Sequence, residues 1–580
     1  MSKLNIDQQT ILQLFSDKRS DFLIPDYQRP YAWGESECQT LWDDIFAFAF
    51  PNDDYSLFNS DEEYFLGPIV TFRNHDGKLE IIDGQQRLTT LMLMLRAFYS
   101  KFGNMKDSNS VSTADNVAKC IWKTDEFGNP NKNQLKIDSE VSTDDDKEEF
   151  LSILKTGMVS PDQKSRYAKV YQFFQEKIDG FLSSYPSYFA YLPTRIMNNC
   201  ILLPIEAESQ DTALRIFSTL NDRGKPLADT DIFKAQFYKY YTDKGEKDQF
   251  IQRWKNLESL CNDIFPAEYG SSMDELFTRY MYYERAKQGN RNTTTEALRT
   301  FYEKNNYELL KKDQTMDNLE SLAAFWKSVS VQDDMVFSDQ VLKQLGVLRF
   351  APNGMWTYLL SVYYMQNKNS EGVLENNALS EFLKTITLFI WAYAVVRPGV
   401  NALRVPVYPE MINIVNGRNI GFMDNKFDKD ALLNALMNFE FTNSRMITKS
   451  MLAWWMYNDP KQDLIPADTV LEVEHIYPRK RQENENSLVD KKNLESLGNK
   501  ALLERSINIR ASDYRFADKK KYYKGFVTDK GKAKLGTINY ELTVMADNYN
   551  DFAERDIIER KSKIINSFIE SMRNANLLND

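Results

Sequence analysis

The chain has 580 residues, a formal net charge of -11 and the composition of an ordinary globular protein, 42% hydrophobic and 27% charged. That length exceeds what one hydrophobic core organises, so several domains are expected. Cys38, Cys120, Cys200 and Cys261 are widely spaced without a CxxC pair, which argues against a zinc site and for reduced thiols. The N-terminus has no signal-like apolar region and no uninterrupted apolar run approaches the length of a membrane helix, so a cytoplasmic protein without membrane contact is expected.

The first hundred residues mix strands and helices. Phe22 to Trp33 reads as an extended segment fixed by Pro25 and Pro30, followed by a helix through Cys38, Leu41, Trp42 and Ile45. Residues 65–72 and 79–83 read as two strands of a hairpin whose turn is Asn74-His75-Asp76-Gly77, which makes His75 a turn residue. After Asp83 the spacing of Leu88, Leu91, Met92, Leu95 and Phe98 predicts a helix with Met92 and Met94 in the core. From about 101 to 150 the chain is rich in Ser, Asn, Asp and Lys and reads as an irregular insertion with short elements. Cys200 to Ile205 gives a second strand, leading through a turn into a helical segment that ends near Tyr241.

Long amphipathic helices with many aromatics fill residues 245 to 460, as at Trp254, Leu257, Leu260 and Ile264. The Pro and Asp residues of 459–466 mark a boundary, and the tail from about 540 to 575 is helical again. The expected division is 1–242, 243–460 and 461–580, an α+β multidomain protein with a helical middle.

Charge is unevenly distributed. From His475 to Tyr540 there are 16 Lys and Arg against 8 Asp and Glu, a local charge of +8 that leaves -19 on the rest. Such a region can meet phosphate while the remainder keeps the chain in solution, although a charge run is also read as a solvated face. Its first residue, His475, is one of only two histidines in the chain. Imidazole titrates near neutrality and is the usual general base.

Two clusters carry chemistry. In the first, Asp83-Gly84-Gln85-Gln86-Arg87 lies at a strand-to-helix junction, where free amides and the helix dipole favour an anion. Gly84 would let the backbone approach a phosphate, Arg87 could pair with it and Asp83 could hold Mg²⁺ or a ribose hydroxyl; the same segment is equally a plain helix cap. No GxxxxGK[ST] motif is present, which excludes a P-loop. Tyr27, Tyr31 and Trp33 could stack a base, but a proline-flanked aromatic trio is more often core. In the second cluster, Glu474-His475-Ile476-Tyr477-Pro478 is followed by Leu497-Gly498-Asn499-Lys500 and by Asn508, then by Phe516-Ala517-Asp518-Lys519-Lys520.

The second cluster resembles the HNH, or ββα-metal, nucleases. The resemblance implies His475 as the base that activates water, Glu474 and Asn508 as ligands of Mg²⁺ or another divalent cation, Asn499 orienting the imidazole, and Lys519 or Lys520 meeting phosphate. Phosphodiester hydrolysis asks for such a set, because water must lose a proton while charge grows on phosphate oxygens. One departure is that many such enzymes carry Asp where Glu474 stands.

Asp83 to Arg87, with Ile24 to Trp33 upstream and Phe217 to Leu227 downstream, resembles the ParB-like domain of the GmrSD family of type IV restriction enzymes and its relatives SspE and BrxU. This implies an N-terminal ParB/sulfiredoxin-like domain binding GTP, UTP, CTP or ATP through Gln28, Arg29, Asp83, Gly84, Gln85, Gln86 and Arg87. Tyr27, Asn221, Asp222, Arg223 and Lys520 are further nucleotide or DNA contacts on the same ground. The implied activity is nucleotide-dependent cutting of modified phage DNA; a nucleotide-gated DNA-binding protein without nuclease activity and an RNA-cutting effector are the alternatives. Oligomeric state is not legible, and a homodimer stays open.

Overall fold

The computed structural model describes residues 5–6, 8–103, 105–141, 144–159, 164–210, 212–214, 216, 229–265, 271–397, 399 and 401–579. They form two compact units, Met1–Lys255 and Asn256–Asp580. The helical stretch from 256 onward and the basic C-terminal region thus share one unit.

Among the described residues the first unit has nine strands: β1 (Asn5–Ile6), β2 (Gln9–Thr10), β3 (Phe22–Ile24), β4 (Tyr64–Arg73), β5 (Leu79–Asp83), β6 (Trp122–Thr124), β7 (Pro130–Leu135), β8 (Ile137–Ser139) and β9 (Cys200–Ala207). Seven of them form one sheet in the order β1-β9-β4-β5-β3-β8, with β2 also on β9, while β6 and β7 pair separately. β4 and β5 are antiparallel and joined by the predicted turn, where Gly77 adopts φ +79 and His75 is exposed. Alternation along these strands splits them between two cores. Ile69 and Ile81 face the larger core, whereas Val70 and Ile82 face a smaller one with Tyr27, Ile205 and Ala235.

The helix Gln85–Phe102 lies in the larger core with Leu88, Leu91, Met92, Met94, Leu95 and Phe98 all fully buried. A helix apolar on nearly every side has to be surrounded. The helices Ser108–Ile121 and Arg166–Ser184 pack on it. Residues 101–150 depart from the expected irregular insertion. They contain the helix Ser108–Ile121, and β8 extends the main sheet by pairing parallel with β3. The stripe Ala114, Val117, Ala118, Ile121 has helical spacing and is buried; the polar residues on the other face hid it in the composition.

The second unit begins with helices, among them Ser272–Lys287, Asp313–Val331, Met355–Asn367, Asn376–Val396 and Met446–Tyr457. Asn376–Val396 is the one described helix long and apolar enough to cross a membrane, and 72% of its most apolar window is buried within the protein, as in a core helix. The chain then forms an antiparallel hairpin, Leu471–His475 against Lys500–Glu504, followed by the helices Arg505–Ala511, Phe516–Lys524, Tyr540–Asn548 and Glu554–Asn574. Ile476, Tyr477, Leu503, Phe516, Tyr523, Phe552 and Ile557 make a compact core behind the hairpin.

Candidate active site and nucleotide site

In the hairpin, Glu474 pairs with Ala501 and His475 with Lys500. Successive strand residues point to opposite faces, so the predicted ligand and the predicted base diverge. Glu474, 4% exposed, accepts hydrogen bonds at Oε1 from Lys519 Nζ (2.6 Å) and Tyr523 Oη (2.9 Å). Burial raises its pKa, opposed by Lys519 and the Tyr523 hydroxyl. Asn508 donates to Glu472 Oε2 at 3.0 Å on the same side.

His475 lies on the other face. Its Nε2 is buried without a hydrogen-bond partner among the described residues, 3.4 Å from Glu495 Oε1. Burial, with Lys500 adding to it, pulls the imidazole pKa down to about 4, and Glu495 only partly offsets this. The ring is therefore neutral at physiological pH, the form that can accept a proton. Glu495 also takes Arg479 (2.7 Å) and Lys500 (2.5 Å). Lys500, fully buried, donates in addition to the Phe441 carbonyl at 2.5 Å.

Asn499 differs from expectation. Its Oδ1 accepts the Tyr477 N–H at 2.7 Å and its Nδ2 donates to the carbonyls of Tyr477 and Leu494, both at 3.0 Å. The carboxamide is spent on backbone, so it fixes the turn that follows His475 while Glu495 is the side chain beside the ring. Lys519 also differs: at 1% exposure, bonded to Glu474 and to the His475 carbonyl (2.6 Å), it is an internal cation rather than a phosphate contact. Lys520 on the same helix is partly exposed.

Glu472, Glu474 and Asn508 supply hard oxygens on one face, the donor chemistry Mg²⁺ takes. An ion using Glu474 would share that carboxylate with the resident Lys519 ammonium. Among the described residues no three His, Cys, Asp or Glu side chains cluster as a metal site by themselves.

The Asp83–Arg87 segment sits at the end of β5. Gly84 is left-handed (φ +91), and an added Cβ would lie 3.1 Å from Ile69 Cγ1. Arg87 folds back over β4, donating to the Pro68 carbonyl at 2.9 Å; it crosses Gly67 (φ +114), where a Cβ would come within 2.9 Å of the guanidinium. Burial raises the pKa of Asp83, against the Gly84 amide, Arg87 and Arg29. Burial likewise lowers that of Arg87, against Asp83.

The glutamine side chains bond to backbone groups around the 28–33 loop. Gln28 Nε2 donates to the carbonyls of Ile81 and Ile82 (3.2 and 3.1 Å), and Gln85 Nε2 to Arg29 O (3.2 Å). Gln86 accepts from the amides of Ala32 (2.6 Å) and Trp33 (3.3 Å) and donates to Pro30 O (3.3 Å). They staple the 28–33 loop to the helix start. Tyr27 is buried against Tyr238, ring centroids 4.8 Å apart, so its face is used inside the protein rather than offered to a base. Arg29 is exposed, and the helix-terminal amides lie beside Asp83. Asn221, Asp222 and Arg223 lie outside the described residues.

Both sites fall within matched regions. Residues 11–238 match the family model described as GmrSD restriction endonuclease, N-terminal domain, and residues 426–567 the one described as GmrSD restriction endonucleases, C-terminal domain. The chain belongs to the GmrSD restriction endonuclease family. No curated protein matches it. Membership makes it a type IV restriction endonuclease, an enzyme whose partner is DNA.

In this GmrSD chain, sequence reasoning missed Glu495, Lys500, Tyr523 and Arg560. Arg560 donates from Nη1 to the carbonyls of Leu497 (3.2 Å), Gly498 (3.1 Å) and Lys500 (2.7 Å) and forks onto Glu541 (2.8 and 2.7 Å). Glu495 and Lys500 pair with each other five positions apart, but no motif marks that pairing, and the partners of Tyr523 and Arg560 lie far along the chain. Gly67 did carry a signal, since a glycine inside a strand pattern marks a bulge or a close approach, and the β4–β9 register shifts there.

Proposed function

We propose that this GmrSD protein is a nucleotide-dependent, modification-directed endonuclease that nicks or cleaves phage DNA in the cytoplasm. The observation that carries the reading is His475, a half-buried neutral imidazole whose buried Nε2 has no hydrogen-bond partner among the described residues, on a Glu-His hairpin closed by Gly498-Asn499. His475 takes the proton of the attacking water. Glu495, 3.4 Å away, then faces the imidazolium and offsets its charge. Glu474 and Asn508, with Glu472 alongside, would hold a divalent cation, which would supply charge neutralisation at phosphate; they lie across the strand from the His475 ring, so the scissile phosphate has to bridge the edge of the hairpin to meet both. Lys519 limits the charge Glu474 presents, and Asn499 keeps the loop after His475 in place.

In the first unit, Arg29, Arg87 and the amides that open the Gln85–Phe102 helix bind the nucleotide phosphates, and Asp83 takes the ribose or a cation. Gln28, Gln85 and Gln86 keep the 28–33 loop, and with it Arg29, against that helix start.

The test is a cleavage panel of modified and unmodified DNA with the full chain, Mg²⁺ and each of GTP, UTP, CTP and ATP. Cutting of a modified substrate with at least one nucleotide is expected. His475→Ala should abolish cutting and keep nucleotide turnover, whereas Arg29→Ala with Asp83→Asn should lose turnover. A His475→Ala protein that still cuts removes His475 from the mechanism, and intact DNA throughout the panel refutes the endonuclease reading.

A further inference from the structure

In the second unit a pocket of about 450 Å³ opens between the end of the Asn376–Val396 helix, the 352–353 turn and the start of the Met446–Tyr457 helix. Its walls are apolar and aromatic, including Ile390, Tyr393, Phe439 and Ile447, and no carboxylate lines it. Arg397 and Arg445, both exposed, stand at its edge. Each guanidinium lies over an aromatic ring of the pocket, Arg397 at 6.0 Å from the Tyr393 centroid and Arg445 at 4.8 Å from that of Phe439. Neither makes an ion pair among the described residues, although the chain carries -11 overall. Two unpaired arginines held against rings in an acidic protein are a recognition surface for a planar group that carries an anion.

The pocket is linked to the candidate active site through one intervening residue, Phe441. Phe439 packs on Phe441 at 4.8 Å, and the Phe441 carbonyl accepts the ammonium of Lys500, the cross-strand partner of His475.

We infer that this pocket holds one unstacked nucleotide of the DNA strand, its base against the apolar wall beside Phe439 and Ile447 and its flanking phosphates on Arg397 and Arg445. The inference rests on the endonuclease reading above. A pocket of this volume accommodates a base with its sugar. Aromatic stacking is indifferent to sequence, and arginines grip phosphate in bidentate fashion. The pocket therefore anchors a strand of any sequence near His475.

The experiment uses the full chain and three probes: a duplex carrying one unpaired 2-aminopurine, a single strand of the same sequence, and free GTP. Arg397→Ala with Arg445→Ala should weaken duplex and single-strand binding about 10- to 100-fold and reduce the slope of log affinity against log salt by roughly 1 to 2, the signature of two lost phosphate contacts. Ala394→Phe, which fills the pocket without changing charge, should suppress the 2-aminopurine fluorescence rise and leave the salt slope unchanged. DNA affinity within twofold of wild type in the double variant overturns the inference, as does an unchanged 2-aminopurine response in Ala394→Phe. A loss confined to GTP overturns the assignment to DNA. Wild-type cutting together with either of the first two results removes the pocket alone; a wild-type chain that binds no DNA removes the endonuclease reading as well.

Discussion

Arg560→Met is the sharpest test of how the catalytic turn is held. In the native protein this 8%-exposed guanidinium satisfies three backbone carbonyls of the Leu497–Lys500 turn and both oxygens of Glu541, which also accepts Trp455 Nε1–H at 2.7 Å. Removing one partner of a buried ion pair costs about 3–5 kcal/mol, because the other charge stays behind. The three carbonyls lose a donor as well, so the upper part of that range is expected. Adding Glu541→Leu removes the stranded carboxylate but not the stranded carbonyls, and should restore about half. Burial would raise the pKa of Glu541, but Arg560 and Trp455 hold it below the usual carboxylate range. The native pair therefore stabilises above the unfolded carboxylate pKa of about 4.3, and its contribution fades as pH falls through the lower folded value. Urea unfolding at pH 7.5 and at pH 3, well below the unfolded carboxylate value, with hydrogen exchange of the 494–500 segment as a local readout, measures this. An Arg560→Met protein within 1 kcal/mol of wild type at pH 7.5, or equally destabilised at both pH values, would refute the reasoning.

Other outcomes follow from single contacts. Gly498→Ala places a Cβ 2.0 Å from Ile557 O and 2.8 Å from Lys561 N, both backbone, and should lower stability by at least about 1–3 kcal/mol, the usual cost of overpacking, seen as a fall in Tm. His475 should stay neutral down to about pH 4, and with only one other histidine in the chain its imidazole signals can be assigned by comparison with His475→Ala; a midpoint between 6 and 7 would contradict the buried site. Because its folded pKa lies below the unfolded value near 6.5, the unfolded chain takes the proton first, so this group withdraws up to roughly 3 kcal/mol of stability as pH falls from 6.5 towards 4. Gln86→Ala removes three hydrogen bonds to the 30–33 backbone and should cost about 1–3 kcal/mol with faster proteolysis in that loop; unchanged proteolysis would mean the loop is held elsewhere.

Periodic features were legible. The β4–β5 hairpin followed from alternating residues around an Asp-Gly turn, and the helix after Asp83 from a long run of apolar residues that includes helical spacing, because burial writes itself into local pattern. The helix at 108–121 was missed because its polar face dominates the composition of the stretch, although its buried stripe Ala114, Val117, Ala118 and Ile121 keeps helical spacing. At the hairpin the motif residues were found but their partners were not. Lys519 was read as reaching outward to phosphate, yet it meets Glu474, which lies 45 positions earlier. Glu495 gave no sign that it would stand beside His475. Such pairings are made by tertiary approach, which leaves no periodic trace in one sequence.

Gly67 changes what the Asp83–Arg87 motif is. The guanidinium of Arg87 can lie along β4 only because residue 67 has no side chain and adopts φ +114. The motif thus has a silent member 20 positions before its arginine. A pattern search confined to the five contiguous letters accepts chains that cannot seat the arginine, and replacement of Gly67 by any larger residue should reproduce the loss of Arg87 while leaving the motif intact on paper.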